Sequence, residues 1–155
     1  MKRAAERFLA VERIAVTGVS QDPKGEASNG IYRRLKERGY TVFAINPNAA
    51  TVEGDPAYPD LAAVPGGVDA VVIATRPEHA EATVRQAIDR GISQVWMHRS
   101  FGAGSVSHEA AELGRAHGLT VIEGGCPLMF GAAADGAHRM MCRWFTLTGK
   151  VPRRV

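Results

Sequence analysis

The sequence predicts a three-layer α/β/α fold: a doubly wound sheet of five parallel strands with helices on both faces, in a single domain. Three observations carry this expectation. Short apolar runs recur at residues 13–17, 41–45, 70–74, 95–97 and 120–122. They lack the polar alternation of a half-exposed sheet, as strands covered on both faces do. Amphipathic helical patterns separate most of them, and three of these helices end in glycine, at Gly39, Gly91 and Gly118, shortly before the next strand. That strand–helix–glycine–strand rhythm is the signal of right-handed parallel crossovers.

Taken in order, residues 1–12 read as an accessory amphipathic helix offering Phe8, Leu9 and Val11 for packing. Strand one ends in Gly18 and a loop of small and polar residues. The next helix is expected to be capped at Ser28 or Asn29, with Ile31, Tyr32 and Leu35 inside and Arg33, Arg34, Lys36 and Arg38 as its wet face. Strand two stops at Asn46-Pro47, because proline cannot donate to a ladder. Residues 48–67 are the least regular part, broken by Gly54, Pro56, Pro59, Pro65, Gly66 and Gly67, with one short helix expected at 60–64. Pro77 opens a helix after strand three, where its missing N–H does no harm. Ala80, Val84, Ala87 and Ile88 form the inner face of that helix. Ser105 or Ser107 caps the helix before strand five. Residues 131–155 read as a helical tail, in which Met140, Met141, Trp144 and Phe145 cover the sheet or make a homodimer contact. The expected strand order is 3-2-1-4-5, with ligands at the carboxyl ends of the strands where the order reverses.

A chain of 155 residues, 45% hydrophobic, has enough apolar side chains for one full core. Its net charge of +3 suits anionic ligands without pointing to nucleic acid. Cys126 and Cys142 are too few and too far apart for a zinc cluster or a redox pair, so two free thiols in a reducing compartment are expected. Lys2, Arg3, Glu6 and Arg7 rule out the apolar core of a signal peptide at the start. No apolar run approaches the ~18 residues of a membrane span. The expectation is a soluble, cytoplasmic protein.

The loop after strand one has the shape of an anion site. Backbone N–H groups at a helix N-terminus are unsatisfied and carry the positive end of the dipole. A dinucleotide would call for G-x-G-x-x-G and for an acid ending strand two. The chain offers Gly18-Val-Ser20, with one glycine of the three, and Asn46 in place of the acid. A P-loop is absent as well.

The pieces Val16-Thr-Gly-Val-Ser20, Gly39-Tyr-Thr-Val, Ile45-Asn-Pro47, Asp69-Ala-Val-Val-Ile73, Thr75-Arg-Pro-Glu78, Gly91 before Val95-Trp-Met97, and Gly118-Leu-Thr-Val-Ile122 with Cys126 form one ordered set. Together they resemble the stand-alone CoA-binding proteins related to the N-terminal domain of the succinyl-CoA synthetase α subunit. The resemblance runs from residue 13 to about residue 130 and implies a Rossmann-like or flavodoxin-like site for coenzyme A or an acyl-CoA. It carries phosphate contacts over to Gly18, Val19, Ser20 and Gln21, with Ser28 at the helix N-terminus, and the nucleotide end to Asn46 and Pro47. The rest of the cofactor falls to Ala74, Thr75, Arg76 and Pro77, then to Met97, His98 and Arg99. Lys24 and Arg76 are the expected charge partners of the phosphates.

Two loops depart from the family pattern. Trp96-Met-His-Arg-Ser-Phe-Gly102 stands where Trp-Met-Gln-x-Gly is usual, and Gly124-Gly-Cys-Pro-Leu-Met-Phe130 where charged neighbours are usual. The synthetase's phosphorylated histidine and ATP-binding partner have no counterpart expected in a chain of this length.

Each sharp reading has a bland one beside it. Ser20 and Lys24 are also a turn cap and a solvated charge. His98 lacks a Ser, Cys or Asp partner at a recognisable spacing and reads as a binding or structural histidine; Cys126 reads as a buried inert thiol. The leading expectation is non-catalytic CoA or acyl-CoA binding, as a sensor, carrier or regulatory subunit. The alternatives are an enzyme using His98 or Cys126 on a bound CoA or nucleotide, and an interaction domain with a vestigial pocket that recruits an unidentified protein partner. Catalytic residues and metal sites are not expected.

Overall fold

In the computed structural model, the described residues are 2–22, 24, 27–100, 102, 104–131, 140 and 144. Helix α1 (Lys2–Phe8) leads into β1 (Arg13–Thr17), α2 (Ala27–Glu37) and β2 (Thr41–Ile45). A hairpin of β3 (Thr51–Val52) and β4 (Asp55–Tyr58) follows. Then come β5 (Ala70–Ile73), a 3-10 turn (Pro77–His79) continuing into α3 (Ala80–Asp89), and β6 (Gln94–Met97). Helix α4 (His108–Ala116), β7 (Thr120–Glu123) and a 3-10 turn (Pro127–Met129) complete the order. All five expected strands are present, each within a residue of its expected ends.

The sheet runs β3-β4-β2-β1-β5-β6-β7. Every neighbouring pair is parallel except β3 with β4. Two of the expectations are corrected here: among the described residues the sheet has seven strands, one pair antiparallel, instead of five parallel ones, and the order differs. Residues 70–73 lie beside β1 and not outside β2, so the five expected strands are ordered second, first, third, fourth, fifth. The place outside β2 is taken by the hairpin: Ala44 and Ile45 align with Ala57 and Tyr58, and the Asn46 N–H donates to the Tyr58 carbonyl at 2.8 Å. The chain therefore returns to the free side of β1, and the order reverses between β1 and β5.

The hairpin also corrects the reading of residues 48–67. Its two-residue turn is Glu53-Gly54, with φ of 52° and 81°, the left-handed pair of a type I′ turn that matches the strand twist. No helix forms at 60–64. The Asp60 carboxylate accepts from the Ala63 N–H at 2.9 Å, a local side-chain turn. The Arg13 guanidinium holds the following segment by donating to the carbonyls of Gly67 and Pro65.

Side chains alternate strictly across the sheet and so feed two cores. Ile14, Val16, Val72, Trp96 and Ile122 face α1 and α2, while Ala15, Val71, Ile73, Val95, Met97 and Val121 face α3 and α4. Helix α1 docks through Phe8, fully buried and edge-on to Trp96 with ring centroids 5.3 Å apart. The Trp96 indole N–H donates to the Gly124 carbonyl at 3.1 Å, so the same ring joins α1 to the loop after β7. The C-terminal helix expected at 132–145 lies mostly outside the described residues. Met140 and Trp144 are described, and both are helical and largely exposed.

Removing the Phe8 ring tests whether α1 is accessory. Phe8→Ala is expected to lower the unfolding free energy by about 3–5 kcal/mol, read by urea denaturation, because the cavity sits against a rigid indole.

Candidate functional site

The carboxyl edge of the sheet carries two clefts, both lined by Thr75. The first, about 470 Å³, is bounded by the loops after β1 and β2 and by the start of α3; it includes Gly18, Ser20, Asn46, Pro47 and Thr75. The second, about 310 Å³, opens between the loops after β5 and β6 and the first residue of α2; it includes Ala74, Thr75, Arg76 and His98. Both clefts adjoin the β1/β5 boundary where the strand order reverses.

Gly18, just after β1, lies against Ala74, just after β5. Its φ is +76°, and a Cβ there would lie 2.9 Å from the Ala74 carbonyl oxygen. Only glycine satisfies both the left-handed turn and the close approach. From Gly18 the chain turns along the N-terminus of α2, and side chains of that helix fix its path. The Asn29 amide is fully buried: its Oδ1 accepts from the Ser20 N–H at 2.9 Å, and its Nδ2 donates to the Ser20 carbonyl at 2.8 Å and to Glu53 Oε1 at 2.7 Å. Ser28 Oγ donates to the Gly18 carbonyl at 2.8 Å. Ser28 and Asn29 therefore lie inside the first turn of α2 and tether the loop; they do not cap the helix.

Other expected residues divide between cleft and scaffold. Asn46 is on the first cleft while its Nδ2 donates to the Val19 carbonyl at 2.8 Å, a second strap on the loop. Val19 and Met97 are fully buried core residues. Gln21 is exposed, with Nε2 3.5 Å from the Thr51 carbonyl. Lys24 is an exposed loop residue whose N–H donates to Asp22 Oδ1 at 3.2 Å. Arg76 reaches into the second cleft from an exposed position, 4.0 Å from Glu78, and Pro77 begins the 3-10 turn beside it. Arg99 is half-buried, its N–H donating to the Gly125 carbonyl at 3.0 Å.

Sequence reasoning missed His79, Thr83 and Gln86 on the first cleft and Ser100, Gly104 and Ser105 on the second. The first three had a signal: polar residues spaced four and then three apart share one helical face. Ser100 corrects the expectation that His98 lacks a partner, since its Oγ lies 2.9 Å from His98 Nε2. His98 is buried, and the loss of hydration pushes its imidazole down to about 4 from 6.5, leaving it neutral near pH 7. Cys126 is a buried free thiol pushed up to about 11 by the same effect, as its inert reading expected. The Thr75 hydroxyl, shared by both clefts, is buried without a hydrogen-bond partner among the described residues.

A reversal-point cleft beneath a tethered small-residue loop places this molecule among the doubly wound α/β proteins that present the carboxyl ends of their strands to a ligand. Residues 12–132 match the CoA binding domain family, and the chain belongs to that family. Over 127 residues it is 25% identical to an acetate–CoA ligase [ADP-forming] I of Archaeoglobus fulgidus, a match covering 78% of this chain and 18% of the ligase. It is 27% identical to the acetate–CoA ligase [ADP-forming] II α subunit of Pyrococcus furiosus, over 77% of this chain and 27% of that subunit. The matched region is thus about a fifth to a quarter of these longer relatives. A solved hypothetical protein from Pyrococcus horikoshii superposes with a TM-score of 0.74 at 26% identity, covering 81% of this chain and 84% of its own.

Two outcomes follow from the geometry. Asn29→Ala strands both the N–H and the carbonyl of Ser20 and is expected to lower the unfolding free energy by about 1–3 kcal/mol in denaturant titrations. His98 has a folded pKa below its unfolded value, so the unfolded chain binds the extra proton. Stability is therefore present above about pH 6.5 and falls as pH drops toward about 4. The slope is at most about 1.4 kcal/mol per pH unit, and His98→Gln should flatten it in pH-dependent denaturation.

Proposed function

We propose that this protein binds coenzyme A or an acyl-CoA across the two neighbouring clefts, as a sensor, carrier or regulatory subunit in the cytoplasm. The observation that carries the reading is the loop Gly18–Ser20, held open by Asn29 and Ser28 against the N-terminus of α2, in a chain of the CoA binding domain family. A loop fixed in advance by its own hydrogen bonds needs no ordering at binding and leaves the first-turn N–H groups of α2 to face a phosphate. Gly18, Ser20, Gln21 and Ser28 surround the phosphates in this reading. Asn46 and Pro47 take one end of the ligand; Ala74, Thr75, Arg76, Pro77, His98 and Arg99 take the other. Val19 and Met97 support these loops from within the core. Lys24 and Arg76 supply positive charge, the guanidinium as a fork and the ammonium as a point charge. Ligase activity is a property of the longer relatives, and binding through this region does not require it.

Calorimetry with CoA tests the reading. CoA is expected to raise the melting temperature and NAD to leave it unchanged. Lys24→Ala and Arg76→Ala should each weaken CoA binding by about tenfold, roughly 1.4 kcal/mol. Absence of CoA binding at millimolar ligand would sink it.

A further inference from the structure

We infer that Ser100 and His98 form a nucleophile–base pair that cleaves the thioester of an acyl-CoA held in the second cleft. The substrate class rests on the CoA reading above; the pair itself rests on the loop after β6.

That loop is closed on itself. The Ser105 N–H donates to the His98 carbonyl at 2.8 Å, and Gly104, with φ of +62°, packs so tightly that a Cβ would fall 2.6 Å from the same oxygen. The Arg99 N–H bond to the Gly125 carbonyl ties the loop to the end of β7. Held this way, Ser100 Oγ stands 2.9 Å from His98 Nε2, and both residues line the second cleft. A serine hydroxyl within hydrogen-bond reach of a neutral imidazole is the arrangement that activates an oxygen nucleophile. Burial leaves His98 neutral, so that Nε2 can accept a hydrogen bond from the Ser100 hydroxyl, and makes it a weaker base than a solvated imidazole. Thr75 and Arg76 line the same cleft, and Arg76 brings a positive charge to its rim.

The chemistry closes without an oxidant or reductant. Ser100 Oγ forms a bond to the thioester carbon while its proton passes to His98 Nε2. The carbon–sulfur bond breaks, and the proton on Nε2 moves to the departing sulfur, releasing CoA as the thiol. Water then attacks the seryl ester and gives a proton to His98; the carbon–oxygen bond breaks, the carboxylic acid leaves, and the proton returns to Ser100. Because Thr75 lines both clefts, they are neighbours, and the thioester is placed in the second with the remainder of the ligand toward the first.

The test uses the full chain with acetyl-CoA and, separately, with p-nitrophenyl acetate, an ester that needs no CoA site. Release of CoA is followed by mass spectrometry and nitrophenolate by absorbance, with CoA binding measured by calorimetry on the same samples. Both substrates are expected to be cleaved. Ser100→Ala and His98→Gln, checked for fold by circular dichroism, should each slow cleavage by on the order of 100-fold or more. Ser100→Cys, which keeps a nucleophile, should gain the mass of one acetyl group. If CoA binds but neither substrate is cleaved, or if CoA binds and cleavage persists in Ser100→Ala, the pair is overturned and the binding reading stands. Serine-dependent cleavage of the ester alone, without CoA binding, supports the pair and removes the CoA reading. Loss of both readouts overturns both.

Discussion

One side chain, the carboxamide of Asn29, decides the shape of the site. A loop that leaves a strand for a helix N-terminus has backbone groups with no ladder to join, and buried groups of that kind must find partners. Asn29 supplies two at once, accepting the Ser20 N–H and donating to the Ser20 carbonyl. A carboxylate could accept but not donate, and a hydroxyl is too short to span both, so the amide is the chemistry the position needs. Its second N–H reaches Glu53, which also takes Arg33 at 2.7 Å. The loop, the helix and the hairpin turn are thereby joined through a single buried residue.

That junction explains why a non-glycine residue occupies a left-handed turn position. Glu53 adopts a φ of 52° at a cost on the order of 1 kcal/mol. Its carboxylate then points back at α2, where two charge-assisted or buried hydrogen bonds offset the strain. Asp55 repeats the pattern from the next strand: it accepts from the Tyr32 hydroxyl at 2.8 Å and pairs with Lys36. Those contacts hold its carboxyl below the usual range, while burial and the nearby carboxylates hold the Tyr32 phenol well above its own. The basic face of α2, which sequence alone presents as solvated charge, is in part the surface that fastens the hairpin.

The strands were legible because each is an unbroken apolar run bounded by glycine or proline, and both faces of a covered sheet demand that pattern. The strand order was not legible, since it depends on what lies outside β2. The hairpin that fills that place is only a few residues long and carries Pro56 and Gly54, which read as breakers. In the candidate site, Gly18, Ser20, Asn46, Thr75 and Arg76 came through because a glycine turn, a strand-ending Asn-Pro and a strand-ending basic residue are local signals. Thr83, Gln86 and Ser100 did not. Their place at the clefts is set by the tilt of α3 and by the closure of the loop at Gly104, both consequences of tertiary packing.

The same hairpin has a bearing on how this molecule behaves in the company of its own copies. A parallel sheet ending in β2 would show a neighbour a straight row of unpaired amides and carbonyls five residues long. Instead the outermost pairing on that side is two residues of β3, running in the opposite direction and followed at once by a tight turn. An edge so short offers almost no template for strand addition. By pairing with Ala44 and Ile45, the irregular segment after β2 cuts the open row on that flank to Thr41–Phe43, in the spirit of a gatekeeper charge in other proteins: it leaves a passing chain less to pair with.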